Sequence, residues 1–122
     1  MPLIEILGSE TSEVAQEQAS EAMTGALSAT WGIDPEIITV YFVALRKGGY
    51  AHGGRVGQPV EKRRIFLKIH AYPRTRAQRE AASKALTSAC ISTLGIEPSL
   101  VVIYFFDREP GHVAHGGKLG GG

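Results

Sequence analysis

The sequence predicts an α+β fold in which two βαβ units in tandem form one four-stranded sheet with both helices on one face. Three observations lead there: the chain repeats itself, each copy begins and ends with a short β-rich run, and a helical stripe of small residues lies between them. Sliding the 122-residue chain along itself sets residues 2–54 over 65–117 without a gap, and 18 of those 53 positions are identical. They include Gly32/Gly95, Pro35/Pro98, Tyr41/Tyr104, Phe42/Phe105 and the Ala-His-Gly-Gly block at 51–54 and 114–117. A single domain, 1–122, is expected from two repeats, with 55–64 as their connector and 118–122 as a flexible glycine-rich tail.

Each repeat opens with a run that alternates apolar and polar residues, PLIEIL at 2–7 and IFLKIH at 65–70, as a strand with one wetter face does. Pro2 suits a first strand position, since proline has no N–H to give a ladder. The helix follows. Ala15, Ala19, Ala22, Met23, Ala26, Leu27 and Thr30 recur at spacings of three and four, and Ala82, Ala85, Leu86, Ala89 and Cys90 repeat the pattern. Ser12 and Thr75 are matched N-caps, and Thr75-x-x-Gln78 has capping-box spacing. Gly32 and Gly95 end the helices in the left-handed conformation, with Ile33 and Ile96 placed for the accompanying apolar contact. The closing runs, EIITVYFVAL at 36–45 and SLVVIYFFD at 99–107, are nearly continuous apolar stretches, the mark of strands buried on both faces. Glycine-rich hairpins or turns finish each unit.

A right-handed crossover in each unit places both helices on one side of the sheet, with a pseudo-twofold relating the halves. Strands as apolar as 37–43 and 100–106 cannot leave the other side wet, so that side is expected to meet other copies of the chain. Nothing in the sequence has the length of a membrane span, and the N-terminus lacks the basic-then-apolar order of a signal peptide, so a cytoplasmic protein is expected. Cys90 is the only cysteine, which excludes an internal disulfide; its helical surroundings mark it as a packing residue. Trp31, at a helix end, reads as packing too.

The net charge of +1 conceals a steep asymmetry. Residues 1–45 carry seven acids and no Lys or Arg, while residues 46–79 carry ten Lys or Arg against the single acid Glu61. The near-neutral total and the lack of a nucleic-acid motif exclude a nucleic-acid partner, which leaves solvated surface, expected for Lys62, Arg63 and Arg64, or a pocket for small anions. The four histidines do not form a metal pattern, because His112-x-x-His115 has no cysteine or carboxylate companions at ligand spacing. No metal or other cofactor is expected. Pro2 also permits a chemical reading. An initiator methionine ahead of a small residue is normally removed, and the freed secondary amine of Pro2 could act as a base.

The opening MPLIEI, a βαβ unit of about sixty residues, the arginine ahead of the helix in YPRTRAQRE and the turn KGGYAHGG after the second strand together resemble the tautomerase superfamily. The likeness is nearest to 4-oxalocrotonate tautomerase in a fused, two-repeat form, and it covers nearly all of 2–118. Two-repeat relatives include cis-3-chloroacrylic acid dehalogenase, malonate semialdehyde decarboxylase and macrophage migration inhibitory factor. The resemblance implies a homotrimer and keto–enol tautomerisation of small unsaturated 2-hydroxy or 2-oxo acids such as 2-hydroxymuconate. Pro2 is then the general base and Arg74 the clamp for the substrate carboxylate, with Arg76, Tyr104, Tyr50 and His115 as further pocket residues. The repeat partners of Pro2 and Arg74 are Ile65 and Thr11, so one chain carries one complete set.

Departures limit the likeness. The second arginine of 4-oxalocrotonate tautomerase falls on Thr39 or Val102, leaving its role to Arg46 or Arg108. The dehalogenase's water-activating glutamate, other arginine and partner histidine fall on His115, Ala71 and Ala29. Dehalogenase or hydratase chemistry, phenylpyruvate tautomerisation, and a non-catalytic role if Met1 is retained are the alternatives.

Overall fold

The computed structural model describes residues 2–121. The chain runs through β1 (Leu3–Ser9), α1 (Glu13–Trp31), β2 (Thr39–Leu45), β3 (Ala51–His52), β4 (Arg55–Val56), β5 (Ile65–Ala71), α2 (Arg76–Leu94), β6 (Val101–Asp107), β7 (Ala114–His115) and β8 (Lys118–Leu119). The main sheet has the order β2-β1-β5-β6. Within each repeat the strands are parallel, β1 to β2 and β5 to β6, while β1 and β5 meet antiparallel at the centre. That central pairing is the pseudo-twofold expected from the repeat.

Alternation in the two central strands sorts their side chains by face. Ile4, Ile6, Leu67 and Ile69 point into a layer closed by Ala19, Met23 and Leu27 of α1 and by Ala82, Leu86 and Cys90 of α2, all of them buried. The alanines keep both helices close to the sheet, and interiors this close-packed feel the loss of a single methylene. Burial pushes the Cys90 thiol up from 9.0 to about 12, so it stays protonated and serves as a small apolar side chain.

The helix ends follow the sequence signals. Ser12 Oγ accepts the Ala15 N–H, whereas Thr75 and Gln78 close a full capping box. Gly32 and Gly95 have φ of 65° and 63°, and the Ile33 N–H reaches back to the Ser28 carbonyl as a Schellman turn requires.

One expectation is corrected, the start of the second strands. The apolar runs 36–45 and 99–107 do not start as strands, because Pro35–Ile37 and Pro98–Leu100 form 3-10 turns; Asp34 caps the first by accepting the Glu36 N–H at 2.9 Å. At the C-terminal end β8 pairs with β7, and the Gly120 N–H donates to the Val113 carbonyl. As the apolar composition requires, the outer strands are covered on one face only within the single chain. Tyr41, Val43, Tyr104 and Phe106, on the side away from the helices, are 38–62% exposed in the single chain. Among the described residues no helix is long and apolar enough to cross a membrane.

Candidate active site

Pro2 sits at the head of β1, buried, with its carbonyl accepting the Thr39 N–H at 3.1 Å. The antiparallel register pairs Leu3 with His70, so Pro2 lies one step beyond, abreast of Ala71 at the end of β5. From Ala71 the chain turns through Tyr72, Pro73 and Arg74 into α2, and the Arg79 guanidinium closes the turn by donating to the Arg74 carbonyl. The first repeat's strand start and the second repeat's helix entry are thus brought to one end of the sheet.

Arg74 is fixed there by packing. Its guanidinium carbon stands 4.6 Å from the centre of the Trp31 ring, and Nη1 donates to the Tyr72 carbonyl at 2.9 Å. Trp31 is itself locked, its Nε1–H donating to the Gln78 carbonyl at 3.0 Å and its ring tilted against Phe105 at 6.2 Å. The platform orders the cation before any ligand arrives, which lowers the entropy lost on binding. Trp31 therefore has a positioning part that its sequence context did not signal.

On the opposite face of the same strand ends, Glu5, His70 and Arg108 form a chain. His70 Nε2 lies 2.6 Å from Glu5 Oε1, Arg108 Nη2 lies 2.8 Å from His70 Nδ1, and the Phe106 ring stacks on His70 at 4.8 Å. A guanidinium only donates, so Nδ1 is the acceptor and the imidazole proton is assigned to Nε2, donating to Glu5. The Arg108 N–H also donates to the Ala71 carbonyl at 2.7 Å. A cavity of about 420 Å³ opens here, walled by Leu3, Glu5, His70, Tyr72, Arg108 and His112. The strand end next to Pro2 is accordingly flanked by Arg74 on the helix side and by Arg108 on the open side. Arg46, the other arginine considered for that second place, follows β2 at the far end of the sheet.

The remaining candidates scatter. His115 is exposed on the β7–β8 hairpin that follows β6, at the Pro2 end. Arg76 points outward from the first turn of α2, its side chain 86% exposed and paired with Glu80 at 3.0 Å. Tyr104 stands on the uncovered sheet face, stacked on Phe66 at 5.9 Å. Tyr50 is buried at the opposite end, where its hydroxyl accepts the Arg64 N–H at 3.1 Å. Neither tyrosine meets Pro2 of its own chain.

Arg63, expected in solvent, is 6% exposed and is the buried charged residue among those described. Its Nε donates to the Gln58 carbonyl at 2.8 Å and its Nη2 to the Lys47 carbonyl at 3.1 Å, under the Tyr50 ring at 5.7 Å. A block of basic residues shows charge but not orientation, so nothing local distinguished Arg63 from Lys62. His70 and Arg108 did leave a trace: their repeat partners are Leu7 and Leu45, apolar where the second repeat is polar. Among the described residues no three His, Cys, Asp or Glu side chains converge as metal ligands do.

The sequence matches no protein-family model and no curated protein. Solved structures match it closely in shape. A structure of Pt0534 inactivated by 2-oxo-3-pentynoate superposes with a TM-score of 0.86 at 22% identity, covering 97% of this chain and 94% of that one. A wild-type fused 4-OT, R7, described as an asymmetric trimer, gives 0.87 at 19% identity over 96% and 94%. Malonate semialdehyde decarboxylase, described with decarboxylase and hydratase activities, gives 0.78 at 19% identity over 93% and 90%. At these identities the likeness is one of fold: the chain shares the doubled β-α-β architecture of these structures.

Proposed function

We propose that this chain is a cofactor-independent keto–enol tautomerase of small unsaturated 2-hydroxy or 2-oxo acids, with Pro2 as general base once Met1 is removed. The observation that carries this reading is the β1–β5 register, which sets Pro2 abreast of Ala71 and within the same sheet end as Arg74 and Arg108. Met1 itself lies outside the described residues. Pro2 is buried, and both burial and nearby cations disfavour the charged form of an amine, so in this reading a free Pro2 amine is neutral and basic. It takes the enol proton of the substrate and returns a proton to carbon. Arg74, ordered on Trp31, receives the carboxylate in a planar, bidentate contact. Arg108, held by His70 and Glu5, faces the developing oxyanion from the open side and draws electron density through the 2-oxo group. Inactivation of the structural neighbour Pt0534 by a 2-oxo acid supports this substrate class.

The working form in this reading is a homotrimer. The uncovered face carrying Tyr41, Val43, Tyr104 and Phe106 needs a partner, and the fused 4-OT neighbour is a trimer. Tyr104 and Tyr50 then reach a Pro2 site only across a subunit boundary, while His115 and Arg76 stand at its rim. The test follows the ultraviolet absorbance of 2-hydroxymuconate and phenylenolpyruvate during ketonisation, with the intact mass measured on the same preparation. Turnover of either by the methionine-free protein is expected. Equal turnover by a preparation shown to be fully methionine-capped would place the base elsewhere.

A further inference from the structure

The end of the sheet away from Pro2 holds a buried cation with no anion. Arg63 takes part in neither ion pair of the described residues, Glu5–His70 or Arg76–Glu80, although its side chain is almost wholly removed from water. Two carbonyls satisfy Nε and Nη2, and no protein acceptor meets Nη1 among the described residues. Because no buried side-chain nitrogen or oxygen lacks a partner, Nη1 reaches open space. Arg63 lines a cavity of about 490 Å³ together with Ser9, Leu45, Lys47, Pro59 and Val60, and shares Ser9, Val60 and its own side chain with a smaller adjoining hollow of about 110 Å³ beside Thr11, Arg64 and Ile65. Glu10, exposed at the rim of both, is the one acid facing three cations.

A guanidinium in a low-dielectric setting is costly without a counter-charge, and planar donors select planar acceptors. We infer that this cavity is a second anion site, taking a small organic carboxylate on Arg63 with its apolar body against Leu45, Pro59 and Val60. The apolar wall argues for an organic acid over inorganic phosphate. The site binds without turnover: the position equivalent to Pro2 is Ile65, in mid-chain and without an amine. Occupancy ties the Lys47 and Gln58 segments, which Arg63 already holds, more firmly to the end of β5. This inference uses none of the residues at the Pro2 end of the same chain.

The test is a titration of the full-length protein with butyrate at fixed ionic strength and pH, followed by backbone amide shifts. Saturable shifts at Ser9, Lys47, Gln58 and Val60 are expected, unchanged in Arg74→Ala and weakened at least tenfold in Arg63→Lys, which keeps the charge but not the fork. Phosphate run in parallel should bind more weakly. Shifts confined to Tyr72–Thr75, no saturable shift in the wild-type protein, tighter binding of phosphate, or equal affinity in a folded Arg63→Lys protein would each overturn the assignment. The wild-type titration alone keeps the inference falsifiable if Arg63→Lys fails to fold.

Discussion

The two ends of the central sheet are built from equivalent positions, and they hold different chemistry. At one end stand Pro2, Ala71, Arg74 and Trp31; at the other their repeat partners are Ile65, Gly8, Thr11 and Leu94. The first end carries a strand-start proline and a cation stacked on an indole. In the second, Ile65 packs against Gly8, close enough that a side chain added at Gly8 would meet it at 3.4 Å, and the cation comes from Arg63, just before the strand. Duplication preserved the backbone at both ends because the αL glycines, helix caps and core alternation are the same. The pocket residues were free to diverge, since the shared backbone does not depend on their side chains.

That comparison can be broken by exchanging the ends piece by piece. The largest effect is expected at Pro2. Pro2→Ala with Met1 removed should lower kcat about 10²- to 10⁴-fold, the range of a positioned general base, whereas Ile65→Pro should create no second active site because that nitrogen is an amide. Steady-state kinetics on both variants measure this; activity gained by Ile65→Pro in a Pro2→Ala background would contradict it. Arg74→Ala should mainly raise KM, since a carboxylate contact made in ground and transition states alike contributes uniform binding. Loss of such a contact costs on the order of 2–3 kcal/mol, roughly 30- to 150-fold.

Arg63 sharpens the contrast through stability. Arg63→Ala strands the Gln58 and Lys47 carbonyls and should cost roughly 2–3 kcal/mol in denaturant unfolding, against less than about 0.5 kcal/mol for the exposed Arg64→Ala. Trp31→Leu makes the first end resemble the second. It should raise KM by about 1–2 kcal/mol in binding through loss of the stacked platform, and Trp31→Phe should recover part of that. The smallest effect separates the helix caps. Thr75→Ala should cost about 1 kcal/mol of stability and exceed Ser12→Ala, because only Thr75 has the reciprocal Gln78 bond. Equal losses would mean that the box adds nothing here.

Local and periodic features were legible in the sequence. The repeat, the helix stripes, both N-caps and both glycine C-caps each follow from a backbone or packing need that acts within a few residues, and all appear at the expected positions. The apolar second strands announced an uncovered face for the same reason: an exposed Tyr41 or Phe106 is visible as composition before it is visible as surface. The 3-10 turns at Pro35 and Pro98 escaped because a turn and a strand share the same apolar residues. What only the tertiary structure decided is who meets whom across the chain. The antiparallel β1–β5 register sets Pro2 abreast of Ala71, and the packing of the halves threads Glu5 to Arg108 through His70, lays Arg74 on Trp31 and buries Arg63. Most of these join residues far apart in the chain, 16 positions from Arg63 to Lys47 and 65 from Glu5 to His70. Distances of that kind are set by how the two halves pack, which no window of sequence contains.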